Sequence, residues 1–198
     1  MQPLTIQTPR MLLRPLAPDD REAYRRAHEA SAALWAPWFP RSPLSESADQ
    51  WFERQIERVA SGLREGTECR LVGFLADGRI AGLFNLTQIF RRALQGAFAG
   101  WSVNAEVARQ GYATEGVIAL LDLAFAAEPA GLGLHRVQAN IVPTNVPSLR
   151  VAEKAGFRRE GLALRYLKIA GEWRDHAMYA KLADEHTPQY LLSRAFAR

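Results

Sequence analysis

The sequence predicts a mixed α/β (α+β) domain, with a twisted, mostly antiparallel sheet of about seven strands flanked by about four helices. Three observations carry this reading. Strand-like runs at 69–76 and 79–90 flank Asp77-Gly78, a strong two-residue hairpin signal. Val117, Leu120, Leu121, Ala124 and Phe125 recur at three-and-four spacing, which predicts a helix over 113–127. The order of segments runs strand, two helices, three meandering strands, helix, strand, helix, two strands, with no internal repeat and no linker.

Each element has its own signal. Met11-Leu12-Leu13-Arg14-Pro15-Leu16 reads as a short first strand that Pro15 ends or places at an edge. Pro18-Asp19-Asp20 opens a helix to about residue 30, with acids at its positive end. Two prolines break Leu34-Trp35-Ala36-Pro37-Trp38-Phe39-Pro40, which is expected to be an aromatic loop. Ser45 or Ser47 caps a helix over 48–64, with Trp51, Phe52, Gln55, Ile56 and Val59 on one face. The third strand of the meander is expected at 94–103 and a further strand at 135–141. The helix over 147–155 stops at Gly156, where glycine accepts a left-handed cap. The last hairpin joins 157–169 to 173–182 across Ala170-Gly171-Glu172, and 184–198 reads as a tail or a short extra helix.

Composition narrows the class. At 198 residues, with 48% apolar and 23% charged residues, the chain has the size of one domain and excludes collagen, low-complexity disorder and coiled coil. A single cysteine, Cys69, can neither close an intrachain disulfide nor build a multi-thiolate zinc site, and no metal is expected. The N-terminus has no long apolar run, and the longest apolar stretch, 116–127, is interrupted by Asp122 and too short for a bilayer. A soluble, cytoplasmic protein without a membrane partner is the expectation. The net charge of +4 comes from 25 basic residues, 22 of them arginine, and suits polyanions such as phosphorylated cofactors or a ribosome surface. The arginines are scattered, so a dedicated nucleic-acid surface is not expected.

Two segments carry chemistry. Arg109-Gln110-Gly111-Tyr112-Ala113-Thr114-Glu115 follows a strand and opens a helix. Glycine there lets a ligand approach the backbone, and the first helical N–H groups have no intrahelical partner, so they can bind phosphate oxygens. Arg109 adds a guanidinium able to fork onto phosphate. Pro143-Thr144-Asn145-Val146-Pro147-Ser148 also follows a strand and opens a helix, where Asn145 can cap or bond an amide and Ser148 offers a hydroxyl. A plain glycine loop and plain capping would also explain these segments taken one at a time. Their separation of 34 residues would let two neighbouring strands each deliver a helix start to one cleft.

Gly111-Tyr112-Ala113-Thr114-Glu115, Leu134-His135-Arg136-Val137, Asn145-Val146-Pro147-Ser148, Glu153-Lys154-Ala155-Gly156-Phe157 and Glu160-Gly161, in this order, resemble the GNAT acetyltransferase superfamily. Gly171-Glu172-Trp173-Arg174-Asp175-His176 and Trp35-Ala36-Pro37-Trp38 resemble the branch of the ribosomal-protein-alanine N-acetyltransferases. The resemblance implies a single GNAT-like domain over 9–183 and acetyl-CoA as donor. It implies that the backbone of Arg109, Gln110, Gly111, Tyr112, Ala113 and Thr114 holds the pyrophosphate. Val103 on a splayed strand would bond the pantetheine arm, Asn145 would lie beside it, and Ser148 would reach the departing sulfur. Two positions depart from the family pattern: Ala108 stands where Arg or Gln usually opens the loop, and Ala152 stands where many relatives carry a tyrosine acid.

The implied reaction is direct attack of an amine on a thioester, with no acyl-enzyme, because Cys69 is the only thiol. Backbone N–H groups at Val103 or Asn104 would polarise the carbonyl, and Ser148 would donate to sulfur. Glu160 and Glu106 are the candidate bases, beside a relayed water. His135 and the Asp175–His176 pair read as structural. Trp35, Trp38 and Phe39 could wall a peptide groove, and Asn85 could orient an incoming backbone. The acceptor implied is the N-terminal α-amino group of a protein, such as a ribosomal protein, and the resemblance is compatible with a homodimer. A small amine or antibiotic acceptor, and a non-catalytic acyl-CoA-binding or RNA-associated protein, are the alternatives; the lack of an acidic cluster speaks against a polycationic antibiotic.

Overall fold

The computed structural model describes residues 4–40 and 42–192. Its strands are β1 (Ile6–Gln7), β2 (Leu12–Arg14), β3 (Cys69–Phe74), β4 (Ile80–Phe90), β5 (Gly96–Val103), β6 (Arg136–Ile141), β7 (Arg158–Ile169), β8 (Glu172–Leu182) and β9 (Leu191–Leu192). The α-helices are α1 (Arg21–Trp35), α2 (Ala48–Glu65), α3 (Tyr112–Phe125) and α4 (Val146–Lys154). The strands form one sheet in the order β7-β8-β6-β5-β4-β3-β2-β1-β9. Every pairing is antiparallel except β5 with β6.

Both faces of the sheet are covered, which is why β3 buries side chains in both directions. Leu71 joins the core beneath α3 and α4, with Phe84, Leu86, Val137 and the apolar residues of α3. Val72, the next residue, faces the other way into a smaller core with Tyr24 of α1, Phe52 of α2 and Ile80. Helix α2 is delimited as its sequence signals: Ser47 accepts from the Gln50 amide, Gln50 returns the bond, and the helix stops at Gly66 with φ +66°. Helix α3 sits unusually close to β4. A Cβ built on Gly116 would lie 2.1 Å from the Phe84 ring, so only glycine fits there.

Three expectations change. Helix α1 continues to Trp35 rather than stopping near residue 30, and Ala36–Trp38 adds a short 3-10 turn, in which proline is tolerated because it occupies the first turn. Trp35 is therefore a helical, buried side chain and not part of an extended loop. The strand expected from residue 94 begins at Gly96, after a turn over 92–94. In the segment 184–198, Ala183–Glu185 form a 3-10 turn and β9 pairs with β1; residues 193–198 lie outside the described residues. Asp122, buried in α3, holds this return of the chain. It accepts from the amides of Gln189 and Tyr190, and His186 Nε2 lies 2.6 Å from its Oδ1.

Candidate active site

The site begins where the parallel pair comes apart. β5 and β6 are in register only at Gly96–Arg136, Ala97–Val137 and Phe98–Gln138, and then both strands continue without pairing. The Asn104 amide donates to the Ala81 carbonyl at 2.8 Å. Because hydrogen-bonded and non-bonded pairs alternate along an antiparallel ladder, Ala99, Trp101 and Val103 turn their backbone groups away from β4 and into the gap. Asn104, whose amide is already committed, is thereby excluded as a donor to a substrate carbonyl. The Val103 carbonyl accepts from Trp35 Nε1 at 2.8 Å, which leaves the Val103 and Trp101 amides as the donors facing the gap.

A cleft of about 570 Å³ opens from this gap on the α1–α2 side of the sheet. Of the residues expected from sequence, Trp35, Trp38, Phe39, Asn85, Asn145 and Ser148 line it together. Trp35 and Phe39 stack with centroids 6.0 Å apart, and Phe39 meets Trp51 edge-on at 6.2 Å. Trp51, expected as core, is buried and also borders the cleft. Asn145 caps α4 by accepting from the Ser148 amide at 3.3 Å, so its side-chain NH₂ is the group left over for a ligand. Across the floor, Arg70, Asn85 and Gly100 are register neighbours on β3, β4 and β5, and a Cβ on Gly100 would meet nothing within 4 Å.

The gap strand leads directly to a second feature. After β5, a 3-10 turn at Ala105–Val107 carries the chain to α3, whose first intrahelical bond runs from the Glu115 amide to the Gly111 carbonyl. The amides of Tyr112, Ala113 and Thr114 therefore precede the helix's own bonding. Gly111 has φ +89° and Arg109 φ +65°, a turn that presents the backbone of 109–114 outward. Arg109, Gln110 and Gly111 are exposed. Arg10, which no local sequence signal singles out, braces the turn. Its guanidinium donates to the Gln110 carbonyl at 2.8 Å and to buried Glu115 at 2.6 Å, and lies 4.3 Å from the Tyr112 ring centroid. The cradle depends on glycine at position 111 because of the left-handed φ of +89°; a Cβ would in addition come within 3.3 Å of Arg10 Nη2.

The two carboxylates expected as bases lie elsewhere. Glu160 is held by Arg136 and Arg158, and the Arg136 guanidinium keeps its carboxyl below the usual carboxylate range. Glu106 is exposed, 3.9 Å from Arg79, and borders a different groove. Neither lines the cleft with Ser148. His176 does, although the sequence suggested chiefly packing and hydrogen bonding. It is buried on β8 opposite Ala163 of β7, with its ring edge-on to Tyr166 at 5.7 Å. Its Nδ1 is 3.0 Å from the Arg174 carbonyl, which can only accept, so Nδ1 carries the hydrogen and Nε2 of the neutral ring keeps a lone pair. Burial pushes its pKa below the ordinary value of 6.5, favouring that neutral form. The signal that could have found it is strand parity: Ala177 belongs to the core beneath α3 and α4, so His176 faces the cleft side.

Residues 10–158 match the model of the acetyltransferase (GNAT) domain family. A probable N-acetyltransferase of Bacillus subtilis, YjcK, is 43% identical over 107 residues, 54% of this chain and 57% of that protein, so the chain spans about half the length of this relative. The [ribosomal protein uS5]-alanine N-acetyltransferase of Escherichia coli is 26% identical over 172 residues, covering 85% of this chain and 87% of that protein. Among solved structures, Mycobacterium smegmatis RimJ in complex with CoA-disulfide superposes with a TM-score of 0.81 at 31% identity, over 95% of this chain and 88% of that one.

Proposed function

The chain belongs to the acetyltransferase (GNAT) domain family, and from that premise we propose that it is an N-acetyltransferase that uses acetyl-CoA as donor and the N-terminal α-amino group of a protein as acceptor. One observation carries the reading: a gap in the sheet with free strand amides on one wall, an unbonded helix start next along the chain, and a hydroxyl and a neutral imidazole bordering the same cleft.

Acetyl-CoA supplies the acetyl group as a reactive thioester. The amides of residues 111–114 and the flanking Arg109 and Arg10 suit its diphosphate, because a helix start combines free N–H groups with a positive dipole end. The Trp101 and Val103 amides suit the amide-bearing arm as a strand partner, and the Val103 amide can also polarise the thioester carbonyl. The reaction forms a bond from the amine nitrogen to the acetyl carbon and breaks the carbon–sulfur bond. His176 Nε2 takes the proton of the ammonium, and Ser148 Oγ donates to the departing sulfur. His176 takes over the role expected of Glu160 and Glu106. Among the described residues no carboxylate lines the cleft, which disfavours polycationic small amines, and the aromatic mouth at Trp38 and Phe39 suits an extended chain. The relatives named for ribosomal-protein-alanine acetylation support a ribosomal-protein N-terminus as acceptor, and with it a cytoplasmic setting.

Incubation with acetyl-CoA and a panel of free N-terminal peptides and small amines, read by thiol release and mass spectrometry, tests this. Acetylation of peptide α-amines is expected. Turnover confined to small amines, or coenzyme A binding without any turnover, would overturn it.

A further inference from the structure

Resting on that reading of the cleft, we propose that the acceptor is acidic: an N-terminal peptide with an aspartate or glutamate within its first few residues, recognised by Arg58. Three arginines, Arg54, Arg58 and Arg70, line the acceptor end of the cleft, and among the described residues no Asp or Glu lines it. Two of the three already have counter-ions outside the cleft: Arg54 pairs with Glu46, and Arg70 with Glu68 at 2.6 Å. The Arg58 guanidinium makes no ion pair or hydrogen bond among the described residues, and its nearest carboxylate, Glu68, is already paired with Arg70, so the site carries an excess of positive charge. Burial and the like charges of Arg70 and Arg54 disfavour its charged form, and Glu68 offsets them only in part. An anion brought in by the substrate would relieve that cost.

The spacing identifies where on the acceptor the anion lies. Arg70, Asn85 and Gly100 stand on three successive strands in one row, so Arg70 is about 10 Å from Gly100 at ~4.8 Å per strand. Gly100 leaves the floor open beside the gap where the amine must meet the thioester. At ~3.4 Å per residue, an extended peptide whose first nitrogen sits over Gly100 reaches the arginine row with its second to fourth residues. Asn85, midway, can bond the peptide backbone, and Trp38 and Phe39 flank its path.

The test compares alanine-led peptides that carry Glu, Gln or Lys at positions two to four. For the native protein at low salt, kcat/KM is expected to be about tenfold higher for the Glu peptide than for the Gln peptide, with the preference shrinking as salt screens the charge. Arg58→Glu is expected to reverse the ranking in favour of the Lys peptide. Tryptophan fluorescence titration of the same peptides in the presence of coenzyme A ranks affinities independently of turnover. Equal kcat/KM and equal affinity across the three peptides would overturn the acidic-acceptor inference and leave peptide acetylation standing. No peptide bound or acetylated, with small amines turned over, would overturn both. A Glu preference that persists unchanged in Arg58→Glu would overturn the role of Arg58.

Discussion

At the scale of single residues, the reaction rests on two side chains with separable signatures. Ser148→Ala removes a donor to the leaving sulfur, a contact that strengthens as charge develops, so kcat should fall about tenfold with the coenzyme A dissociation constant unchanged. A kcat equal to that of the native protein would remove Ser148 from the reaction. His176 works only while neutral. Its pKa lies below 6.5, so kcat/KM should be sustained above that pH and fall on the acid side as the ring protonates. The charged and titratable groups around it are Arg174 and Asp175 on its own strand and Tyr166 on β7; Asp175 is itself engaged by the Arg165 amide. His176→Gln should lower kcat/KM roughly 100-fold and abolish that acid limb. An unaltered limb in the variant would assign it to another group. Asn145 and Ser148 were legible in the sequence because a strand end followed by Asn-x-x-Ser is a local signal. Arg10 and Arg58 were not, because nothing local distinguishes one arginine from 21 others.

At the scale of elements, the site is positioned by how closely helices approach the sheet. Gly116 lets α3 settle onto the Phe84 ring. Gly116→Ala would force a methyl into a 2.1 Å approach, and the alanine's better helix propensity, about 1 kcal/mol, does not offset that overlap. A loss of about 1–3 kcal/mol is expected, seen as a Tm several degrees lower, together with weaker coenzyme A binding as the helix start is displaced. An unchanged Tm would show that α3 does not need glycine at this contact. The long elements were legible from sequence because their periodicity extends over many residues: α2 starts at its serine cap and ends at Gly66, and β3 and β4 flank Asp77-Gly78. Strands β1 and β9 were not, since two residues carry no period and their pairing is made by long-range contact with Asp122 and the sheet edge. The end of α1 is not legible from Pro37, because proline suits the first turn of a 3-10 helix as well as a break, and here it lies in a 3-10 turn just beyond Trp35.

At the scale of the whole molecule, the sheet opens a gap where β5 and β6 part after three paired positions, and the two ends of that gap have different chemistry. One leads to the helix start at Gly111; the other opens to aromatic and arginine side chains from α1, α2 and β3. The motifs at 109–115 and 145–148 make the first end readable in the sequence; at the second, the aromatic residues at 35–39 and Asn85 are legible, while the arginines at 54, 58 and 70 come from separate elements with no local signal. No helix among the described residues is long and apolar enough to cross a membrane, in keeping with the short interrupted run at 116–127. A crystal structure of the chain grown with coenzyme A tests this arrangement most directly. The diphosphate is expected on the amides of residues 111–114, with the pantetheine arm beside Trp101 and Val103 between β5 and β6. Coenzyme A bound elsewhere, or a gap closed by protein side chains with the ligand present, would contradict it.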